Sequence, residues 1–549
     1  MAKRYKNIID VLIKYEFGHL VDQMKLRPFQ IISSRWKQHY ELGEEALSGP
    51  ERMRKVLEEL GPTYVKLGQI LSMRQDLIPL EYAEEFAKLQ DAVPPFAIED
   101  VERSIQEELG APVDDLFGTF EREPIAAASI GQVHLAKLKD GADVVVKVQR
   151  PRIDQIIETD LDIMYSLAKL AEEHISDAKY YRPVNIVDEF AISIRAELDY
   201  TQEARNIDRF SYNFKDETHI YIPKIYWDHS SQRILTIEYI DGTKGNDFET
   251  IENLGHDRQQ IAIYGAKAFM KQVFEDGLFH ADIHPGNVFI LDDGRIALID
   301  FGMVGHLSND LRNAFIDCLL AITKGDVEQC IEILYDFDVI GSDVDIHELK
   351  TDIEHLLDKY YGRSLKQMDA ASMLSELLGV LRRHQARIPA NIALLLRGVI
   401  MITGFGTQMM PDFNVAMVFE PCAKKIMKER MSPKYIANSV FKDIPKYSRM
   451  LHKMPMQISH ILSSAESGDL NIKFEHHGLD RIVMEMNAAS NRLAFSFIIS
   501  AIIVGSSLII QTGTEPFVGG ISLLGVAGFL IAGFFGMGLA IYILKTGRI

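Results

Sequence analysis

Cysteine is scarce: Cys318, Cys330 and Cys422 are the only three in 549 residues, with no CxxC pair and no Cys/His group at zinc spacing. That excludes a disulfide framework and a structural zinc site, and favours a reducing compartment. Positive charge is also short, with 59 Lys/Arg against 78 Asp/Glu and a net charge of −19. So acidic a chain argues against nonspecific nucleic-acid binding, and a solubilising surface accounts for the charge without any partner. The N-terminal stretch MAKRYKNIIDVLIKYEFGHL has no uninterrupted apolar run, so a secretory signal peptide is not expected. Internal repeats and low-complexity tracts are absent too.

The length exceeds one ordinary hydrophobic core, so two or more structural units are expected, and 47% hydrophobic with 25% charged residues suits a globular chain. Two long apolar runs close the sequence. Leu493 to Ile510 is interrupted only by Ser496, Ser500, Ser506 and Ser507, and Ile521 to Leu544 carries no charge. Roughly 20 helical residues cross a bilayer's hydrocarbon core, so both runs are long enough. A pair of buried core helices is the competing reading, and charge-free runs of this length speak against it. Arg492 before the first run, with Lys545 and Arg548 after the second, places both ends in the cytoplasm by the positive-inside rule. The expected location is the cell membrane, with the body cytoplasmic. Upstream, Cys422 to Pro455 holds nine basic and two acidic residues among interleaved Met, Tyr and Phe. Such a stretch suits an anionic membrane surface and equally a solvated helix face beside an acidic body.

The chemistry concentrates in the middle of the chain. His280-Ala281-Asp282-Ile283-His284-Pro285-Gly286-Asn287 precedes a short apolar run, a turn at Asp292-Asp293-Gly294, a second run, and then Asp300-Phe301-Gly302. The pattern predicts a β-hairpin, which gathers Asp282, Asn287 and Asp300 at one end. Two carboxylates and an amide are hard oxygen donors of the kind Mg²⁺ prefers when it bridges nucleotide phosphates. Asp-x4-Asn followed by Asp-Phe-Gly matches the protein-kinase catalytic loop and its metal-binding Asp. Upstream, Val144-Val145-Val146-Lys147-Val148 is a β-run with one lysine, the type that meets nucleotide phosphates in kinases. Ahead of it, where a glycine-rich loop belongs, stands Ala126-Ala127-Ala128-Ser129-Ile130-Gly131-Gln132. Alanine adopts positive φ less readily than glycine, so an altered phosphate cradle is expected, with backbone N–H groups, Ser129 and Gly131 still near the phosphates. Arg233 to Gly242 reads as a strand running into the linker between two lobes. By kinase analogy, the Glu238 carbonyl and Ile240 N–H would meet the adenine edge.

Together these residues resemble the UbiB/AarF family of atypical kinase-like ATPases, also called the ABC1 or ADCK group. The resemblance runs from about Leu57 to Gly406. Lys66-Leu67-Gly68-Gln69 is similar to the family's KxGQ motif and is followed by Leu89-Gln90-Asp91-Ala92-Val93-Pro94-Pro95. Glu197-Leu198-Asp199 is similar to its ExD motif, and the alanine-rich loop and His280–Asn287 are further matches. The resemblance implies that Lys147 pairs with Glu203 and orients the phosphates, that Asn287 and Asp300 hold Mg²⁺, and that Asp282 occupies the catalytic-base position. It also implies that Lys66 and Gln69 lie on an extension folded over the site, with Lys66 near Glu197 and Asp199. On one regular helix Asp199 and Glu203 would share a face, with Glu197 about 120° away.

The expected fold is α+β: a bilobal protein-kinase-like body with a helical N-terminal extension (1–110), an N-lobe with a helical insertion (111–242) and a C-lobe (243–430). A basic juxtamembrane linker (431–491) and a transmembrane hairpin (492–549) complete it. The expected function is Mg-ATP-dependent support of isoprenoid-quinone or related prenyl-lipid biosynthesis. Membrane lipids or quinone precursors are the expected clients, quinone-biosynthesis enzymes the candidate partners, and nucleic acid is not expected. A protein kinase acting in trans and a nucleotide-switched scaffold are the competing functions; the sequence leaves the oligomeric state open.

Overall fold

The computed structural model describes residues 1–24, 47–89 other than 73, 75 and 76, 94–175, and 182–360 other than 338 and 341–343. It also describes 370–432 apart from 385, 387 and scattered positions beyond 415, and 479–545 other than 514, 519 and 520. The chain divides into two compact units, Met1–Ser432 and Pro433–Ile549. Most of the basic stretch, and residues Gln90–Val93, lie outside the described residues.

The first unit opens with the amphipathic helix Ala2–Lys14, which buries Ile8, Ile9 and Val11. Helices Gly49–Leu60 and Pro62–Ser72 follow. Ser48 and Glu51 form a capping box at the start of the first, satisfying two otherwise orphaned backbone donors. Gly61, at φ +95°, makes the break between the two, a backbone region glycine reaches without a Cβ clash. Arg4 then ties the extension to the body. Its Nε and Nη2 donate to the two oxygens of Asp160 at 2.7 and 2.9 Å, and Nη2 also donates to the Leu60 carbonyl at 2.6 Å. Asp160 is fully buried on helix Ile153–His174.

Among the described residues this unit has eleven short strands, in chain order β1 (Phe117–Phe120), β2 (Ala126–Ala127), β3 (Gly131–Leu138), β4 (Asp143–Gln149), β5 (Ile220–Tyr221), β6 (Ile234–Glu238), β7 (Thr243–Lys244), β8 (Leu278–His280), β9 (Val288–Ile290), β10 (Ile296–Leu298) and β11 (Val304–His306). The N-lobe sheet runs β1-β3-β4-β6, with β2 paired to β3, and all its pairings are antiparallel. Val144, Val146 and Val148 alternate along β4 into a core shared with Val101 and Ile105 of helix Ile98–Leu109. The two-residue strand period therefore turns Lys147 to the opposite face of the sheet.

The C-lobe carries the predicted hairpin, with Ile290 opposite Ile296 in the antiparallel pair β9–β10. β5 adds to β10 in parallel, and β7 pairs with β9. Beneath them, helix Arg258–Lys271 passes into one π-helical turn at Gln272–Asp276. Such turns often reposition a side chain near a functional site. Here fully buried Gln272 accepts a hydrogen bond from the His280 backbone N–H through Oε1 at 3.0 Å.

The second unit contains helices Leu479–Thr512 and Leu523–Lys545. The first begins upstream of the apolar run, because the polar residues before Arg492 continue the helix. A Cβ on Gly528 would lie 2.1 Å from the Ser506 hydroxyl, and one on Gly525 would lie 2.4 Å from Ile510 Cγ1. Glycine thus lets the pair approach closely. The Ser506 hydroxyl donates back to the Ile502 carbonyl at 2.6 Å, so it needs no outside partner. Among the described residues three helices are long and apolar enough to cross a membrane: Ala390–Met409, Ala489–Thr512 and Leu523–Ala540. The first is 56% buried inside the body, against 6% and 11% for the others. Its apolar surface is consumed by the C-lobe core, which is why composition alone counts it as a span.

Arg4 and Asp160 provide a stability test. Arg4→Met strands a buried carboxylate and is expected to cost about 3 kcal/mol. Arg195→Met removes a half-exposed partner of Glu158 and is expected to cost about 0.5 kcal/mol. Parallel thermal melts of the two variants check the ranking; equal shifts contradict it.

Candidate functional site

β4 presents Lys147 on the face opposite its valines, where its Nζ lies 2.8 Å from Glu203 Oε2 and 5.1 Å from the centre of the Tyr200 ring. Glu203 is buried on helix Tyr200–Phe214. Burial opposes the Lys147 charge, but Glu203 and Asp300 outweigh it and hold the ammonium well above its ordinary pKa. Burial likewise pushes the Glu203 carboxyl up while Lys147 pulls it back.

The hairpin sets the opposite wall. Asn287 is buried, and its Nδ2 donates to the Asp282 carbonyl at 3.1 Å, which leaves the amide oxygen uncommitted to that bond. Asp300 sits at φ +59°, a left-handed conformation uncommon for a non-glycine residue and typical of functional loops. Its Oδ1 accepts from the Gly302 N–H at 3.3 Å. Burial pushes the Asp300 carboxyl up, yet Lys147, the Gly302 N–H, His280 and Lys66 bring it below the ordinary carboxylate value. His280 is fully buried beneath the loop. Its Nδ1 accepts from the Asp282 N–H at 3.1 Å, and its Nε2 faces the Ile299 carbonyl at 3.2 Å. Those partners suit a neutral ring protonated on Nε2, and burial lowers its pKa accordingly. Asp282 Oδ1 accepts from Arg397 Nη2 at 2.7 Å, and its Oδ2 is 3.9 Å from His284 Nε2.

The extension reaches the neighbourhood of these residues. Lys66 Nζ is 2.7 Å from Glu197 Oε1, and its charge is felt at Asp300. Gly68 is where the helix approaches its neighbours: a Cβ there would lie 2.3 Å from Leu89 Cδ1 and 2.7 Å from Leu57 Cδ1. Gln69 Nε2 donates to the Leu89 carbonyl at 3.1 Å, so it anchors the extension at that point. One expectation needs correction. Glu197 and Glu203 do not share a regular helix: Pro183–Glu197 ends, and Asp199 caps the next helix by accepting from the Thr201 N–H at 3.1 Å. Asp199 thus builds the bend that lets Glu197 meet Lys66 while Glu203 meets Lys147. The signal was in the sequence, because Asp199 followed by Gln202 is a capping-box pattern.

The alanine-rich loop also differs from an open cradle. Ala126 and Ala127 pair with Val133 and Gln132, and the Ala128 N–H donates to the Gly131 carbonyl at 2.8 Å. Ser129 is buried with its hydroxyl unpartnered among the described residues. The turn is closed by backbone pairing, so phosphate contact by Ala128 N–H or Ser129 requires it to open. Gly131 serves packing instead, since a Cβ there would lie 2.4 Å from the Tyr200 hydroxyl and 2.6 Å from the Val148 carbonyl. At the lobe linker, β6 ends at Glu238 and the Tyr239 N–H bonds the Asp143 carbonyl at 3.0 Å. The Glu238 carboxylate accepts from the Tyr221 hydroxyl at 2.7 Å and the Lys224 N–H at 3.0 Å. Ile240 follows, half-buried, just outside the strand. Arg397 and Gln272 went unforeseen. A lone charge in an otherwise apolar helix was the available signal for Arg397; nothing local marked Gln272.

Three family models match the chain: an ABC1 atypical kinase-like domain over residues 88–334, a UbiB helical domain over 353–414, and an ABC1/UbiB kinase-like C-terminal domain over 477–545. A probable protein kinase UbiB from Marinobacter nauticus is 33% identical, covering 86% of each chain. An uncharacterized protein from the hydrogenase 1 5′ region of Clostridium pasteurianum is 34% identical, covering 100% of this chain and 99% of its own. The solved structure of Rv3197 with erythromycin, from Mycobacterium tuberculosis, matches at TM-score 0.47 and 25% identity, covering 66% of this chain and 93% of its own. The chain belongs to the ABC1/UbiB family of atypical kinase-like proteins, and its body has the kinase-like fold.

The buried His280 gives the fold an acid limit. A folded-state pKa below the ordinary value of about 6.5 means that unfolding takes up a proton below that pH. Its contribution to stability is present above about 6.5 and is lost as pH falls toward the lower folded value. The melting temperature is therefore expected to drop between pH 7.5 and 5.5, with a shallower drop in His280→Gln even if that variant melts lower throughout. Identical slopes contradict the assignment.

Proposed function

We propose that this ABC1/UbiB-family chain binds Mg-ATP between its lobes and turns it over at a membrane, in support of isoprenoid-quinone or related prenyl-lipid biosynthesis. The observation that carries the reading is the 2.8 Å pair of half-buried Lys147 with buried Glu203, whose lysine charge holds the Asp300 carboxyl below its ordinary pKa, with Lys66 of the extension bound to Glu197. A fixed ammonium is suited to nucleotide phosphates.

The donor set fits magnesium that arrives with phosphate. Among the described residues no group of three or more His, Cys, Asp or Glu could hold a metal alone. Asn287 and Asp300 offer an amide and a carboxylate, and Mg²⁺ commonly takes one or two protein oxygens with the rest from phosphate and water. When bound there, it would neutralise charge on the phosphates. Asp282 would orient the attacking oxygen.

The extension narrows the reaction. Lys66 lies where a bulky protein substrate would approach, which favours water or a small molecule as acceptor. The helices Ala489–Thr512 and Leu523–Ala540 suit a membrane anchor, and the positive-inside pattern favours a cytoplasmic body. Prenyl-quinone precursors are hydrophobic clients for such a protein, and enzymes acting on them are the natural partners. The printed name of the UbiB relatives, probable protein kinase, favours a second reading of phosphoryl transfer to a protein in trans.

The test uses the full chain in detergent or liposomes. ATP should raise its melting temperature only with Mg²⁺, and Asp300→Asn should weaken that response by roughly tenfold or more in apparent affinity. An Asp300→Asn chain that binds Mg-ATP as tightly as wild type sinks the metal assignment. Phosphate release that rises with liposomes containing a prenylated quinone precursor supports the lipid-linked reading. Label appearing on a protein partner instead supports the kinase reading.

A further inference from the structure

Helix Ala390–Met409 holds a single charged residue, Arg397, among twenty. A guanidinium buried without a partner costs several kcal/mol, so a lone charge persists in an apolar helix only where it is paired. Its partner is Asp282, 115 positions upstream, through the 2.7 Å bond from Nη2 to Oδ1. The second guanidinium nitrogen, Nη1, lies 3.9 Å from Met303 Sδ, next to the Asp300-Phe301-Gly302 turn. Both side chains of the pair are only 20% exposed.

The backbone is shaped for this approach. Gly398 follows Arg397, and a Cβ there would lie 2.7 Å from Phe269 Cζ and 3.8 Å from the His280 carbonyl. Any larger residue would push the helix off Phe269 and move Arg397 away from the catalytic loop. Arg397 also lies beyond the stretch matched as the ABC1 kinase-like domain, which ends at residue 334, and within the 353–414 match to the UbiB helical domain, although its helix packs into the same core.

We propose that Arg397 is a positioning residue for Asp282, so that the helical domain completes the phosphoryl-transfer site. The proposal rests on the Mg-ATP turnover inferred above. With Oδ1 held by the guanidinium, the carboxylate cannot rotate freely, and Oδ2 is the oxygen left to meet the nucleophile. In hydrolysis the water oxygen bonds to the γ-phosphorus as the bond from that phosphorus to the β,γ-bridging oxygen breaks. ADP leaves with the electron pair, and the water proton passes to Asp282 Oδ2 and then to solvent. Holding the acceptor in place is an orientation effect, so its loss should appear in the chemical step rather than in nucleotide binding.

The experiment measures Mg-ATP affinity and kcat for phosphate release in the full-length wild type, Arg397→Gln and Arg397→Lys, each with and without Asp282→Asn. Arg397→Gln should lower kcat about 10–100-fold with Mg-ATP affinity within about twofold of wild type. Arg397→Lys, which keeps the charge but not the planar fork, should recover part of the loss. In the Asp282→Asn background the Arg397 substitution should cause no further loss, because both changes remove one interaction. Wild-type kcat in Arg397→Gln, equal losses in both backgrounds, or a fall in affinity and melting temperature that matches the fall in kcat overturns the proposal. If Arg397→Gln does not fold, the Arg397→Lys pair decides by the same comparison. Absence of Mg-dependent turnover in wild type overturns the parent reading and this one with it, a result distinct from turnover that ignores Arg397.

Discussion

The ion pair between Lys147 and Glu203 is the constraint that organises the body. Glu203 is buried and Lys147 half-buried, so removing either partner would strand a poorly solvated charge. Satisfying the pair requires β4 to turn Lys147 away from the valine core and helix Tyr200–Phe214 to start in register. The bend at Leu198–Asp199 sets that start. Once it is set, Glu197 points elsewhere and becomes the partner of Lys66. The Lys147–Glu203 pair is thereby linked to where the N-terminal extension docks.

The same logic of pairing shielded charge recurs across longer stretches of chain. Arg4 seats the first helix on Asp160, Lys66 seats helix Pro62–Ser72 on Glu197, and Arg397 ties helix Ala390–Met409 to Asp282. Each contact joins a separate segment to the kinase-like core through a carboxylate that the core already buries or half-buries. Glycine makes the approaches possible: Gly68 beside Leu89 and Leu57, and Gly398 beside Phe269. Charge supplies the attachment points, and the absent side chains supply the clearance.

Local elements were legible because their signals are local. The hairpin Val288–Ile290 and Ile296–Leu298 follows from two apolar runs around Asp-Asp-Gly, and the orientation of Lys147 follows from alternation along β4. The helix break at Asp199 was missed because the continuous helical pattern outweighed a capping signal of four residues. The closed turn at Ala128–Gly131 was also unforeseen: alanine's reluctance toward positive φ argues against an open cradle but does not specify the antiparallel pairing that replaces it. Ala390–Met409 shows the limit of composition, since a core helix and a membrane helix can have the same hydropathy and differ only in what surrounds them.

By itself the sequence determined the kinase-like motifs, their order, the family and the two apolar C-terminal runs. These depend on residue type and near-neighbour spacing, which any stretch of chain carries with it. Only the tertiary structure decided that Arg397 faces Asp282, that Gln272 holds the His280 N–H, and that a helix break at Asp199 separates Glu197 from Glu203. Those pairings depend on where helices end and how closely backbones pass. The long-range burial that sets both leaves no periodic trace in the chain.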